Sequence, residues 1–169
     1  MHELIKKSAT EIRNMLLNKE IKPSELVQIS LDRINEVDPV INAMPTICAE
    51  RAMEHAKNIE NNNNANQNSS SNLAGIPISI KDLVPVKGVK TTWGSPLFKD
   101  HIPEKSDFLV ERLEQNGGIV MGKSNTPEFG AGANTFNEVF GPSLSPWNTK
   151  KTVGGSSGGA ASSLLSGEV

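Results

Sequence analysis

The sequence has few of the residues from which disulfides, metal sites and membrane spans are built. Its single cysteine, Cys48, cannot form a disulfide within the chain, and no cluster with metal-ligand spacing surrounds His2, His55 or His101. No apolar run approaches the ~18 residues of a membrane-spanning helix, and the amino-terminal segment lacks the apolar core of a signal peptide. We therefore expect a soluble, cytoplasmic protein without metal, cofactor or membrane partner.

A large excess of either charge is also missing. Seventeen Lys and Arg residues stand against nineteen Asp and Glu residues, for a net charge of -2, and no long block of one sign is present. Such a balance argues against direct nucleic-acid binding. With 36% hydrophobic residues in 169, the chain can build one domain with a core but not two large ones.

The first third of the chain is predicted to be helical. A capping box at residues 8–11 (SATE) starts a helix that should run to about Asn18. Pro23 is acceptable in the first turn of a second helix, whose apolar face continues until Pro39, where we expect it to stop. A third helical pattern covers roughly residues 49–59.

The pattern changes after a low-complexity stretch at residues 61–72 (NNNNANQNSSSN). This stretch is polar and nearly uncharged, so we expect an exposed loop inserted within the domain. Beyond it, Ile76, Ile78 and Ile80 alternate with other residues, which predicts a strand with one buried face. Lys81 lies at the end of that strand.

The second half alternates between helix and strand before it becomes irregular. Ser106 can cap a helix that ends at Gly117, and residues 119–121 have the pattern of a short buried strand. This order is typical of an α/β fold. Residues 122–159 are rich in Gly, Asn, Ser and Pro without periodicity, which often marks a functional region. Residues 160–165 indicate a further helix.

The hexapeptide GGSSGG at residues 154–159 is open to three interpretations. A flexible linker is disfavoured because ordered-looking sequence flanks it, including Trp147, which we expect to be a core anchor. A P-loop needs a lysine where Ala160 stands. Ser156 lies in a G-x-S-x-G pattern, but the preceding segment is polar and every histidine lies upstream, so a nucleophile elbow with a histidine base does not fit.

A lysine can replace histidine as the base for a serine if its environment keeps the amine neutral. Lys81 is the candidate, because the alternating isoleucines place apolar surface beside it. Lowering an amine pKa from about 10.4 to near 7 requires roughly 4 to 5 kcal/mol of disfavoured charge, and hence real burial. The alternative is that Lys81 pairs with Asp82 at an exposed strand end.

Three segments together resemble the amidase signature family of serine hydrolases. They are GIPISIKDLVPVKGVKTTWGS (75–95), GKSNTPEFGAGANTFNEVFGPSLSPWN (122–148) and GGSSGGAAS (154–162). The resemblance follows the chain in order from the first helices to the glycine-rich segment, and only the stretch at 61–72 looks like an insertion. It implies an α/β fold with a mixed central sheet and helices on both faces, incomplete in this chain, and residues 1–169 as the amino-terminal part of a single domain.

The same resemblance implies a Ser, cis-Ser and Lys catalytic unit that hydrolyses an amide through an acyl-serine. Lys81 corresponds to the lysine of this unit, and Ser156 to the serine that takes a cis peptide bond and relays the proton. Ser157 is expected to support the network by hydrogen bonding. The nucleophilic serine would be residue 180, past Val169, so we expect the 169-residue chain to be hydrolytically inactive.

The middle segment carries the expectations about substrate. Gly130, Ala131 and Gly132 correspond to a loop that borders the acyl pocket in the family, and they would leave room for a small-molecule amide and offer backbone donors and acceptors. The alternative is a surface loop with Phe129 and Phe140 packed inward. Two other functions stay open: the glutaminase component of glutamyl-tRNA(Gln) amidotransferase, and a non-catalytic remnant. Uncovered apolar surface makes association, including a homodimer, possible.

Overall fold

The computed structural model describes residues 2–62 and 73–169. Within these ranges, no helix is long and apolar enough to cross a membrane. The helices and strands follow one another along the chain as α1 (Ala9–Leu17), α2 (Pro23–Ile41), β1 (Thr46–Ile47), α3 (Ala49–Asn62), β2 (Pro77–Lys81), α4 (Phe108–Gln115), β3 (Ile119–Ser124), β4 (Phe136–Asn137), β5 (Gly141–Pro142), β6 (Leu144–Ser145), β7 (Asn148–Thr152) and α5 (Gly158–Ser166).

The first helix begins as the sequence predicts. Ser8 Oγ accepts a hydrogen bond from Glu11 N, and the Glu11 carboxylate accepts one from Ser8 N, which completes the capping box. These two bonds satisfy backbone donors that a helix start leaves without partners. Ile12 and Leu16 point inward from α1 and pack against Leu26 of α2.

The second helix continues past Pro39, so the predicted stop at this residue is wrong. Proline lies here in the last turn, and α2 ends two residues later at Ile41. The end is fixed by Asp38, whose backbone carbonyl accepts from Asn42 N and whose carboxylate accepts from Ala43 N and Met44 N. These bonds supply partners for the turn that follows the helix, so the proline does not have to terminate it.

The third helix is longer than predicted and takes in Asn61 and Asn62, the first residues of the low-complexity stretch. The rest of the predicted loop, residues 63–72, lies outside the described residues. Ala52 and Ala56 of α3 are fully buried against α2. Their small side chains allow the two helices to approach closely.

The central sheet has three strands in the order β1-β3-β2. β2 runs parallel to β3, and β1 runs antiparallel to it, so the sheet is mixed as predicted. β3 is buried along its whole length and is longer than the predicted strand at 119–121. In β2, both Pro77 and Ile80 are buried, and a register shift between Ile78 and Ser79 interrupts the alternation. The prediction of a single buried face for β2 is therefore wrong.

Helices cover both faces of this sheet. Ile119 and Met121 of β3 face the core formed with α2 and α3. Val120, between them, faces the other way and packs with Ile80 of β2 and Val110 of α4. Successive residues of a strand point to opposite faces, so β3 is the shared wall of two apolar cores. This is the α/β arrangement that the sequence predicts.

The start of α4 differs from the prediction by one residue. Asp107, not Ser106, is the N-cap, and its carboxylate accepts from Leu109 N. Ser106 Oγ accepts instead from Lys87 N and so ties the segment before α4 to the loop after β2. Both side chains are good N-cap acceptors, so sequence alone separates them poorly.

The segment between β3 and α5 forms two small hairpins, β4–β5 and β6–β7, in place of the predicted irregular chain. Buried amide side chains hold it together: Asn137 Nδ2 donates to Asn125 Oδ1, and Asn125 Nδ2 donates to Ser143 Oγ. Trp147, in the β6–β7 turn, is 83% exposed. The expectation that Trp147 is a core anchor is wrong, because the hairpin carries its side chain away from the sheet.

Candidate active site

The predicted lysine and the predicted serines lie in contact. Lys81 Nζ is 2.9 Å from Ser156 Oγ and 2.9 Å from Ser157 Oγ, although the residues are 75 and 76 positions apart in sequence. Lys81 is the last residue of β2, and the serines immediately precede α5. The peptide bond between Gly155 and Ser156 is cis, as the family resemblance implied. Ser156 is half-buried and Ser157 is exposed.

A buried threonine holds the serine segment in place. Thr135 N donates to Gly154 O at 2.8 Å, and Thr135 Oγ1 accepts from Gly158 N at 2.8 Å. Both ends of the turn are thereby fixed to one residue that has no solvent exposure. Thr135 is a site residue that sequence reasoning missed, because nothing in its local pattern separates it from other loop threonines.

The glycines of this segment are required by close packing. A Cβ at Gly155 would lie 2.9 Å from the Asn134 carbonyl carbon. A Cβ at Gly159 would collide with the backbone of Asn125 and with Ala43 O, and one at Gly158 would collide with the Thr135 side chain. The amino-terminal end of α5 can therefore lie directly against β3 and its following residues only because side chains are absent here.

Lys81 has an environment that disfavours its charge. Burial lowers the pKa of the Lys81 ammonium below its ordinary value of 10.5. No carboxylate forms an ion pair with Lys81 in the ranges that the structure describes; its hydrogen-bond partners are the two serine hydroxyls. The alternative that Lys81 pairs with Asp82 at an exposed strand end is wrong, because Asp82 is buried and faces away from it.

Asp82 is paired with a second lysine that the sequence analysis did not identify. Lys123 Nζ lies 3.4 Å from Asp82 Oδ1, and both side chains are excluded from solvent. Burial raises the pKa of Asp82 and lowers that of Lys123 to about 8, while each partner opposes the shift of the other. A lysine inside an otherwise apolar strand was the signal that could have indicated Lys123.

The loop predicted to border a substrate pocket lies beside the residues after Lys81. Gly130 approaches Leu83 so closely that a Cβ would lie 2.8 Å from its Cδ1. Gly130 N and Ala131 N donate within their own turn, to Pro127 O and Glu128 O, so the expectation that they offer free donors is wrong. Ala131 and Gly132 are exposed.

Two aromatic residues join this loop to the segment after β2. Phe129 N donates to Trp93 O at 2.7 Å, and both residues adopt left-handed backbone conformations that bulky side chains rarely take. Phe129 is 53% exposed, so it is not packed inward as the alternative expectation held. Phe98 packs edge-on against both the Trp93 and the Phe129 rings.

The fold and these segments define the class of protein. A protein-family model described as Amidase matches residues 25–169, which is most of the chain. The chain therefore belongs to the amidase family, as the sequence resemblance indicated.

Particular relatives place it more closely. It is 41% identical over 157 residues to the amidase-family component of the glutamyl-tRNA(Gln) amidotransferase of Lawsonia intracellularis, covering 93% of this chain and 32% of that protein. A bacterial aryl acylamidase of the amidase signature family superposes with a TM-score of 0.87 at 32% identity, covering 96% of this chain and 34% of that one. A 6-aminohexanoate cyclic dimer hydrolase, solved with its substrate, gives 0.85 at 27% identity, covering 97% and 33%. The chain spans about a third of the length of these relatives.

Proposed function

We propose that this chain supplies the base and the proton relay of an amide hydrolase. The observation that carries the proposal is the contact of Lys81 Nζ with Ser156 Oγ at 2.9 Å in a setting without a carboxylate partner for the lysine. A neutral amine at this distance from a hydroxyl can take its proton. The family to which the chain belongs and the acyl amide substrates named for its solved relatives support the same chemistry.

In the proposed mechanism, a nucleophilic serine attacks the amide carbonyl while its proton passes to Ser156 and the proton of Ser156 passes to Lys81. The relay then runs in reverse and protonates the departing amine, which leaves an acyl-serine for water to hydrolyse. Ser157 donates or accepts at the same amine and holds it in position. Small-molecule carboxylic amides are the proposed substrates, and no cofactor takes part.

We place the nucleophile in the two thirds of the relatives' length that this chain does not span. The backbone donors that stabilise the oxyanion, often the largest contribution to catalysis of this type, belong to the same region in this proposal. The 169-residue chain alone is therefore expected to turn over no chromogenic anilide above a Lys81→Ala control. Measurable hydrolysis that depends on Lys81 would contradict this part of the proposal.

The experiment on the whole protein is a kinetic comparison of variants. Lys81→Ala and Ser156→Ala are expected to lower kcat by about 10²- to 10⁴-fold on an acyl anilide, the range typical of general acid–base groups. Ser157→Ala should lose less, and Lys87→Ala, which removes an exposed lysine of the following loop, should lose nothing. A Lys81→Ala variant within tenfold of the unmodified enzyme would refute the role of Lys81.

A second candidate function is the glutaminase component of a tRNA-dependent amidotransferase. It is favoured by the 41% identity to the amidase-family component of glutamyl-tRNA(Gln) amidotransferase, which exceeds the 32% identity to the aryl acylamidase. The segment NTPEFGAGANTF favours the free amidase, since the amidotransferase component more often has Met-Asp-Glu-Phe there. Glutamine hydrolysis that requires partner proteins would establish the amidotransferase component, and partner-free activity on simple acyl amides the free enzyme.

A further inference from the structure

We infer that the buried ion pair between Asp82 and Lys123 is a positioning element for Lys81. This inference rests on the proposed role of Lys81 as the base. The pair lies immediately beyond the end of β2, where the chain leaves the sheet, and so determines how rigidly Lys81 is held at Ser156.

The hydrogen bonds of Lys123 join the two strands of the loop that follows Lys81. Its Nζ donates to Val84 O at 2.7 Å and to Thr91 Oγ1 at 2.8 Å, and Asp82 Oδ1 is the third acceptor, at 3.4 Å. An ammonium has three donors, so each has an acceptor. One buried side chain thus fixes the residues just after Lys81 to residues some ten positions further along.

Asp82 completes the same structure from the opposite side. Its carboxylate accepts from Thr92 N, at 3.1 Å to each oxygen, and from Thr92 Oγ1. Thr92 Oγ1 in turn accepts from Gly94 N, next to the residue whose carbonyl receives Phe129 N. The network therefore links the base of the candidate site to the loop that carries Gly130.

The pair also keeps a carboxylate from competing for Lys81. Lys81 pairs with Ser124 across the strands, while Ile80 pairs with Lys123, so neighbouring positions along β2 face opposite sides of the sheet. Asp82 and Lys123 lie on the side away from the serines. With Lys123 as its counter-charge, Asp82 does not present an unpaired negative charge one residue from the amine that must be neutral.

Few other charged groups act on this pair. Lys123 feels the Cys48 thiol at the start of α3 in addition to Asp82, and Lys81 is the neighbouring cation on β2. Burial raises the pKa of the Cys48 thiol, so this group is neutral near pH 7. Among the described residues, Asp82 and Lys123 are therefore each other's principal charged partners.

The test measures the pKa of Lys81 in the chain labelled with ε-¹⁵N lysine, with its resonance assigned from Lys81→Arg. In Lys123→Met, the unpaired Asp82 carboxylate and water that enters the loosened loop both favour the ammonium, so the pKa of Lys81 should rise by about 0.5 to 1 pH unit. The double variant Asp82→Asn with Lys123→Met removes both charges and should recover at least half of that rise. Lys87→Met, a surface lysine in the same loop, is the control and should leave the value unchanged.

An unchanged pKa of Lys81 in a folded Lys123→Met chain would overturn the inference, as would an equal rise in Lys87→Met. If Lys123→Met does not fold, Thr92→Val decides, since it weakens the Asp82 anchor without leaving a charge unpaired; a rise supports the inference and no rise overturns it. The proposed function is judged separately from the unmodified chain. A Lys81 that titrates at its ordinary value there refutes the base, whatever the variants do.

Discussion

Replacing Glu168 by Gln should stabilise the protein above neutral pH, although it alters a fully buried residue. Glu168 has no solvent exposure, and neither of its carboxylate oxygens has a hydrogen-bond partner among the described residues. Burial raises the pKa of Glu168 from 4.5 to about 8, the nearby Asp38 carboxylate raises it further, and Ser166 and Arg33 oppose these effects. The folded protein therefore holds a proton that the unfolded chain has already released.

The sign and size of the effect follow from proton linkage. A carboxyl with a raised folded-state pKa causes no loss of stability below the unfolded value of 4.5 and lowers stability progressively as pH rises through about 8. At about 1.4 kcal/mol per pH unit, this amounts to roughly 5 kcal/mol over the whole interval and about 3 kcal/mol between pH 5.5 and 8. Glutamine keeps the shape of the protonated acid but does not ionise, so Glu168→Gln escapes this loss.

Urea unfolding followed by circular dichroism at pH 5.5 and pH 8 provides the measurement. The free energy of unfolding of Glu168→Gln minus that of the unmodified chain should grow by about 3 kcal/mol between the two pH values. Other titrating groups, such as Lys123, are common to both proteins and cancel in this difference. Glu104→Gln, at a surface glutamate, is the matched control. A difference that is the same at both pH values refutes the reasoning.

Three further substitutions test other parts of the structure by the same unfolding assay. Gly159→Ala should cost about 2 to 4 kcal/mol, because its Cβ would collide with the Asn125 backbone, whereas Ala161→Ser on the exposed side of α5 should change little. Trp147→Ala should stay within about 0.5 kcal/mol, since its side chain is 83% exposed; a large loss would restore it as a core residue. Thr135→Val should cost about 1 to 3 kcal/mol by leaving a buried N–H at the start of α5 unpaired, and a neutral result would remove its proposed clamping role.

The helices and the order of elements could be predicted because their signals are local. The capping box at Ser8 and the proline at position 23 mark helix starts within a single turn, and the structure confirms both. The stop at Pro39 failed because the side chain of Asp38, which supplies partners beyond the helix end, acts through bonds that a propensity pattern does not contain. Local rules describe the start of a helix better than its end when tertiary contacts take part.

The candidate site was predictable only in part. Lys81 and Ser156 were paired through the family resemblance, and the structure places them in contact; no periodicity in the sequence connects positions 75 residues apart. Lys123 was missed because Gly122 and Ser124 beside it made the strand appear to end at Met121. Its partners come from the loop after β2, so only the folded chain reveals why a charged residue is buried there.

The long sequence separation between Lys81 and Ser156 also orders events during synthesis. At about 5 to 20 residues per second, the 75 residues between them take roughly 4 to 15 seconds to translate. Throughout this interval β2 has left the ribosome without α5, and the Lys81 amine is hydrated, charged and unreactive. The nascent chain therefore cannot expose an activated amine, because activation arrives together with the last helix that encloses it.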